Sequence, residues 1–166
     1  SLFQFSAIER ILLFNNDKLH QGSIPHEISD LTTLRELSLQ NTNRNGTLPD
    51  MHGMDSIQLL DFDNNALHGT VPSHYGQLTS LRHLLLNRNP LLAGKVPTFN
   101  QAIELETLLL DATSVGGDFS SICNLPAFDG TTVMTNCAVQ SSCDCCKCCV
   151  ESCSDFLVEG LDWSFE

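Results

Sequence analysis

The sequence predicts an α/β repeat solenoid closed by a cysteine-stapled cap, and three observations predict it. Five segments share one frame in register, with glycines at Gly22, Gly46, Gly69, Gly94 and Gly117 in steps of 24, 23, 25 and 23. All eight cysteines follow the fifth repeat, within 31 residues. No apolar run reaches the ~18 residues a membrane span needs. A chain of 166 residues is long enough for one domain with its own core.

The repeats are 8–25, 34–49, 57–72, 81–97 and 105–120, and they share the frame L-x-x-L-x-L-x-x-N-x-L-x-G-x-I-P. The L-x-L core predicts a short strand whose leucines point inward while the residue between them faces out. No repeat can bury its apolar face alone, so the strands must stack into a parallel sheet. The N position (Asn16, Thr42, Asn65, Asn89, Thr113) falls in the turn after the strand. There a polar side chain can satisfy backbone groups that the coil would otherwise bury unpaired. The glycine allows a positive φ or a close backbone approach, and the proline fixes φ where no ladder donor is needed. Repeat two departs from the frame with Arg44 in a leucine position, and repeat five ends in "DFS".

The continuation "GSIPHEISDLTTL" (22–34) and "GTVPSHYGQLTSL" (69–81) resembles the plant-type leucine-rich repeat of receptor-kinase ectodomains and polygalacturonase-inhibiting proteins. The resemblance covers about residues 8 to 125. It implies a leucine-rich-repeat solenoid with short parallel β-strands on the concave face, irregular or 3-10 segments on the convex side, and partners bound on the concave face. The expected domains are the solenoid at 1–136, with five repeats and a degenerate sixth, and a cysteine-rich acidic cap and tail at 137–166.

A solenoid's ends expose core leucines and a strand edge. "SLFQFSAIER" enters the first repeat without the paired-cysteine cap usual in that family. The expectation is that further repeats or a neighbouring subunit cover this edge. At the other end Cys123, Cys137, Cys143, Cys145, Cys146, Cys148, Cys149 and Cys153 form an even set, as a disulfide-stapled cap requires. Adjacent cysteines such as Cys145 and Cys146 are geometrically poor partners. A thiolate metal cluster and a redox site stay open as alternatives, and the pairing is left unassigned. The spacing C-x-C-C-x-C-C resembles the tails of diatom-type algal leucine-rich-repeat proteins. With the one N-x-[ST] sequon, at Asn45 and expected in an exposed turn, the cysteines favour an oxidising, secreted or lumenal compartment.

The formal charge of −12 argues against nucleic acid, which needs a basic face. Reading the outward strand positions gives three columns: Arg10, Glu36, Leu59, His83, Thr107; Leu12, Ser38, Asp61, Leu85, Leu109; and Phe14, Gln40, Asp63, Asn87, Asp111. Leu12, Phe14, Leu59, Leu85 and Leu109 predict an exposed apolar patch, the mark of a protein interface. Asp61, Asp63 and Asp111 predict an acidic strip for a partner's Lys or Arg. Carboxylates on adjacent strands, without a loop of carbonyls, make a poor calcium site.

Of the six histidines, only His83 is expected on this face, near Asp61, and the others are expected as exposed filler. With no nucleophile elbow or phosphate loop, no enzyme and no cofactor are expected. The tail 151–166 interleaves acids with apolar residues and is expected either to pack onto the cysteine-rich cap or to dock to a neighbour, with Trp163 the natural anchor if it docks. The expected function is recognition of a protein or peptide partner. An accessory subunit of a larger assembly and a cell-wall-enzyme inhibitor or carbohydrate binder are the alternatives. Sugar sites favour stacked aromatics, and only Phe14 lies on the columns.

Overall fold

A computed structural model of the chain describes residues 7–126, 132–136, 143 and 145–149. The strands in chain order are β1 (Arg10–Leu12), β2 (Gly22–Ser23), β3 (Glu36–Ser38), β4 (Arg44–Gly46), β5 (Leu59–Asp61), β6 (Ala66–Gly69), β7 (His83–Leu85), β8 (Leu91–Lys95), β9 (Thr107–Leu109), β10 (Ser114–Gly116), β11 (Thr132–Asn136) and β12 (Lys147–Cys149). They form two parallel sheets. One runs β1-β3-β5-β7-β9-β11-β12 and the other β2-β4-β6-β8-β10. Each of the five repeats therefore gives one strand to each sheet, and β11 and β12 extend the first sheet alone.

Register follows the repeat. Leu37, Leu60, Leu84 and Leu108 are aligned across β3, β5, β7 and β9, with Val133 next in β11. These residues, together with Leu34, Leu39, Phe62, Leu86, Phe99, Leu110 and others, form one continuous buried cluster. Burying each such side chain contributes about 1.5–3 kcal/mol, so stacking rather than strand propensity holds three-residue strands together.

The turns after the strands bear out the roles expected of the N position. Asn65 Nδ2 donates to the carbonyls of Leu39 at 2.8 Å, Phe62 at 3.0 Å and Asp63 at 3.1 Å. Its Oδ1 accepts from the Arg44 N–H at 2.8 Å. Asn89 repeats this one coil on, donating to Phe62, Leu86 and Asn87 carbonyls and accepting from the Leu67 N–H. Thr42 and Thr113 donate to the carbonyls of Leu39 and Leu110, each at 2.6 Å, and Thr113 Oγ1 also accepts from the Val115 N–H at 3.3 Å. Pro25 and Pro72, both at φ −60°, open short 3-10 turns at His26–Asp30 and Ser73–Gln77. A four-residue helix, α1 (Ser120–Cys123), takes the equivalent place after the fifth repeat.

Two expectations about single residues, Asn45 and His74, are corrected, and the departure at Arg44 is accommodated. Arg44 in its leucine position stays in strand β4, its guanidinium bonded to the carbonyls of Thr42 and His20. Asn45 lies inside β4, paired with Ser23 and Ala66 and half-buried, rather than in an exposed turn. His74 is no exposed filler: it is largely buried, its Nε2 accepts the Met51 N–H at 3.0 Å, and burial lowers its pKa.

Candidate recognition face

The strands place three rows on the side of the seven-stranded sheet that faces away from the main core. Strand alternation decides which residues these are, and the rows match the columns read from the sequence. Their exposure does not match. Leu59, Leu85 and Leu109 were expected on the surface, yet they join Met134 in a second, smaller buried cluster, Leu85 being only 5% exposed. Leu85, Leu109 and Met134 lie level on neighbouring strands, with Leu59 diagonal to Leu85, so they cover one another as well as they would cover a partner. Among these predicted surface residues Leu12 and Phe14 do remain exposed, at 40% and 50%.

The acidic strip is likewise inside. Asp61, Asp63, Asn87 and Asp111 are all buried, Asp111 to 1% exposure. Ser38 Oγ donates to Asp61 Oδ2 at 2.7 Å, and the Asp63 N–H donates to Asp61 Oδ1 at 3.2 Å. Burial nevertheless dominates and raises the Asp61 pKa to about 6. Gln40 Nε2 donates to Asp63 Oδ2 at 3.0 Å. Asn87 Oδ1 is buried with no hydrogen-bond partner among the described residues, an acceptor left without a donor.

His83 does not sit by Asp61. Its Nδ1 is 3.2 Å from Thr107 Oγ1 and its Nε2 is 3.9 Å from Glu106, because the register sets it across from Leu59 and Thr107. Burial lowers its pKa in spite of Glu106.

Sequence reading missed Arg88. Its Nε donates to Asp63 Oδ1 at 2.7 Å, and its Nη2 makes a second contact to Oδ2. The residue has positive φ, 55°, as do Asn15, Asn41, Asn64 and Ala112 at the same frame position. Asn tolerates that left-handed backbone well, and three asparagines form a side-chain ladder there, Asn64 to Asn41 and Asn41 to Asn15. Arg88 breaks the ladder and carries the strain of a non-glycine left-handed residue. The signal was available: one frame position before Asn16, Thr42 and Asn65 is Asn, and before Asn89 it is Arg. The hydrogen bond to Asp63, with Asp111 and Asp61 nearby, raises the Arg88 pKa. The face thus gathers three carboxylates around one guanidinium.

At the far end the cap is stapled by Cys123–Cys145, which ties α1 to the segment before β12, and by Cys143–Cys146. Cys137, Cys153 and Trp163, and the side chains of Cys148 and Cys149, lie outside the described residues.

No family model matches the chain. Receptor-like kinase TMK2 of Arabidopsis thaliana is 36% identical over 123 residues, 66% of this chain and 14% of that protein. Receptor-like protein Cf-9 of Solanum pimpinellifolium is 32% identical over 90 residues, 53% of this chain and 10% of that protein. Among solved structures, the plant peptide hormone receptor RGFR1 in complex with RGF2 superposes with a TM-score of 0.73 at 29% identity, covering 81% of this chain and 21% of that one. The ectodomain of the Arabidopsis thaliana receptor kinase GASSHO1/SCHENGEN3, in complex with CASPARIAN STRIP INTEGRITY FACTOR 2, gives 0.71 at 27%, covering 81% and 16%.

The chain is a leucine-rich-repeat solenoid with disulfides toward its C-terminus, and its relatives are plant leucine-rich-repeat receptor proteins and ectodomains. It spans roughly a tenth of the length of the curated relatives it matches. The diatom-type reading of the tail rests on its cysteine spacing alone.

Proposed function

We propose that the chain is a non-catalytic recognition module that takes a protein or peptide partner on the outward face of the seven-stranded sheet, in an extracellular or lumenal setting. The observation that carries the reading is the unbalanced charge of that face. Asp61, Asp63 and Asp111 are buried around the single guanidinium of Arg88, and Asn87 Oδ1 waits for a donor. A cationic partner side chain would supply the missing donor to Asn87 and charge to the Asp61–Asp63 pair, and charge-assisted bonds are the stronger class. Half-buried Gln40 and Arg88, the latter's side chain 34% exposed, are where the row meets solvent. The ectodomains that this chain resembles over 81% of its length include two solved with peptide hormones or factors, which supports a peptide over a sugar. Oxidised cysteines at the cap fit the secretory route, and glycosylation at Asn45 would follow from it.

A second reading, an accessory subunit docked at the β1 edge, draws on the exposed Leu12, Leu13, Phe14 and Leu19. Among the described residues no helix is long and apolar enough to cross a membrane.

Selection of a displayed random peptide library on the immobilised chain separates the readings. The recognition reading expects basic peptides to be enriched and to lose binding to Gln40→Arg, at the centre of the face, while keeping it for Phe14→Asp. Enriched peptides indifferent to Gln40→Arg would contradict it. A fixed-stoichiometry complex from the native source that only Phe14→Asp breaks would favour the subunit reading.

A further inference from the structure

The two staples of the cap share one sulfur cluster. Cys143 Sγ lies 3.9 Å from Cys123 Sγ and 3.7 Å from Cys145 Sγ, so it touches both atoms of the disulfide to which it does not belong. The sulfurs of Cys123, Cys143 and Cys145 all lie within 4.8 Å of one another, and Cys146 is bonded to Cys143. All four residues are half-buried, and Cys123, Cys143 and Cys146 pack against the main core. Structural disulfides need no such crowding: two staples that serve only as staples can sit anywhere along the cap.

Metal coordination does need it. With zinc–sulfur bonds of about 2.3 Å, the sulfur–sulfur edge of a tetrahedral tetrathiolate is about 3.8 Å. Two of the four non-bonded separations, 3.7 and 3.9 Å, already match that edge. The two bonded pairs, whose Cα atoms stand 5.6 and 5.5 Å apart, would have to part, and the Cys146 side chain would have to turn toward Cys123 and Cys145. The sequence spacing agrees. Cys143 and Cys146 form a C-x-x-C pair, the usual half of a structural zinc site, and Cys123 comes 20 residues earlier.

We propose that, once a dithiol has reduced both disulfides, Cys123, Cys143, Cys145 and Cys146 hold one Zn2+ as a tetrathiolate. Each disulfide takes two electrons and two protons from one dithiol, which leaves as its own disulfide, so two dithiols yield four thiols. Zinc then replaces the four thiol protons, which pass to solvent, and the site carries a net charge of −2. Thiolates favour soft or borderline cations over calcium or magnesium. The same four side chains thus tie α1 to the segment before β12 in two ways, covalently under oxidising conditions and through the metal under reducing ones. This inference is independent of what the sheet face binds.

The test uses the full chain, reduced anaerobically with a phosphine, with and without one equivalent of Zn2+, then pulsed with an alkylating agent. Mass spectrometry reads each cysteine separately. The site predicts one zinc per chain and loss of alkylation at Cys123, Cys143, Cys145 and Cys146, with Cys137, Cys148, Cys149 and Cys153 still modified. No zinc uptake, or protection at the second set, overturns it. Co2+ in place of zinc should give the visible absorption of tetrahedral cobalt thiolate, lost in Cys123→Ser and kept in Cys137→Ser. An equal spectrum in the two variants overturns the assignment as well. The alkylation map needs only the natural sequence, so it decides the matter even if a variant fails to fold.

Discussion

Arg88 holds the carboxylate of Asp63, on the preceding repeat, with Nε 2.7 Å from Oδ1, and it does so from a left-handed backbone of φ 55°. The asparagine ladder of Asn15, Asn41 and Asn64 shows what that frame position takes when only the turn matters. Keeping Arg there costs backbone strain on the order of 1 kcal/mol, which the ion pair must offset. Arg88→Asn should relieve the strain but leave Asp63 buried without its cation. We expect a net loss of about 1–3 kcal/mol in urea unfolding at neutral pH, below the figure for a fully buried pair because Arg88 is partly exposed. A variant as stable as the parent would show that the pair contributes nothing.

Asp61 makes stability depend on pH. Folding raises its pKa from 3.8 to about 6, chiefly by burial. Between those values the folded chain binds more protons than the unfolded one, so this group's contribution falls as pH rises through that window. It is fully present below pH 3.8 and lost above about pH 6. A difference of this size corresponds to about 3 kcal/mol. Asp61→Asn, which can still accept from Ser38, should flatten the slope between pH 4 and 6 and be more stable than the parent at pH 7. Chemical denaturation at a series of pH values reads both effects, and an unchanged slope would show that Asp61 ionises freely.

The turn asparagines should be costly to remove. Asn89 is fully buried and bonds three carbonyls and one N–H group across two coils. Asn89→Ala orphans them in the interior, and each unsatisfied buried group costs about 1–3 kcal/mol. Asn16, exposed and bonded only to Leu13 and Phe14 carbonyls, should cost far less as Ala. Thermal melts of the two variants side by side check the ordering.

Gly76 is a steric keystone that the repeat frame does not mark. A Cβ there would lie 2.0 Å from the Thr98 carbonyl oxygen, in backbone that also bonds Gln101 and Ala102 to the Gly76 carbonyl. Gly76→Ala should destabilise by at least ~1–3 kcal/mol, the usual cost of overpacking. At Gly53 a Cβ meets nothing within 4 Å, so Gly53→Ala should show only the strain of its positive φ, 78°.

These residues show what could be read in advance. The repeat frame announces the strands, their register and the outward rows, because alternation and the inward leucines are local and periodic. The turn role of Asn65 and Asn89 was legible for the same reason. Exposure was not, because it depends on neighbours two coils away: Leu85 is outward in parity yet closed off with Leu59, Leu109 and Met134. The place of His83 was missed because register sets it across from Thr107, not Asp61. Arg88 was missed because its role appears only when the frame is read for what breaks it.

The central claim is that the outward face of the seven-stranded sheet is the recognition surface. Amide hydrogen exchange of the chain with and without a library-selected peptide tests it most directly. The account predicts protection concentrated at β3, β5, β7 and β9 and at the positions that follow them, Gln40, Asp63, Asn87 and Asp111. Protection confined to β2, β4, β6, β8 and β10 would contradict it, and the recognition surface would then lie on the other sheet.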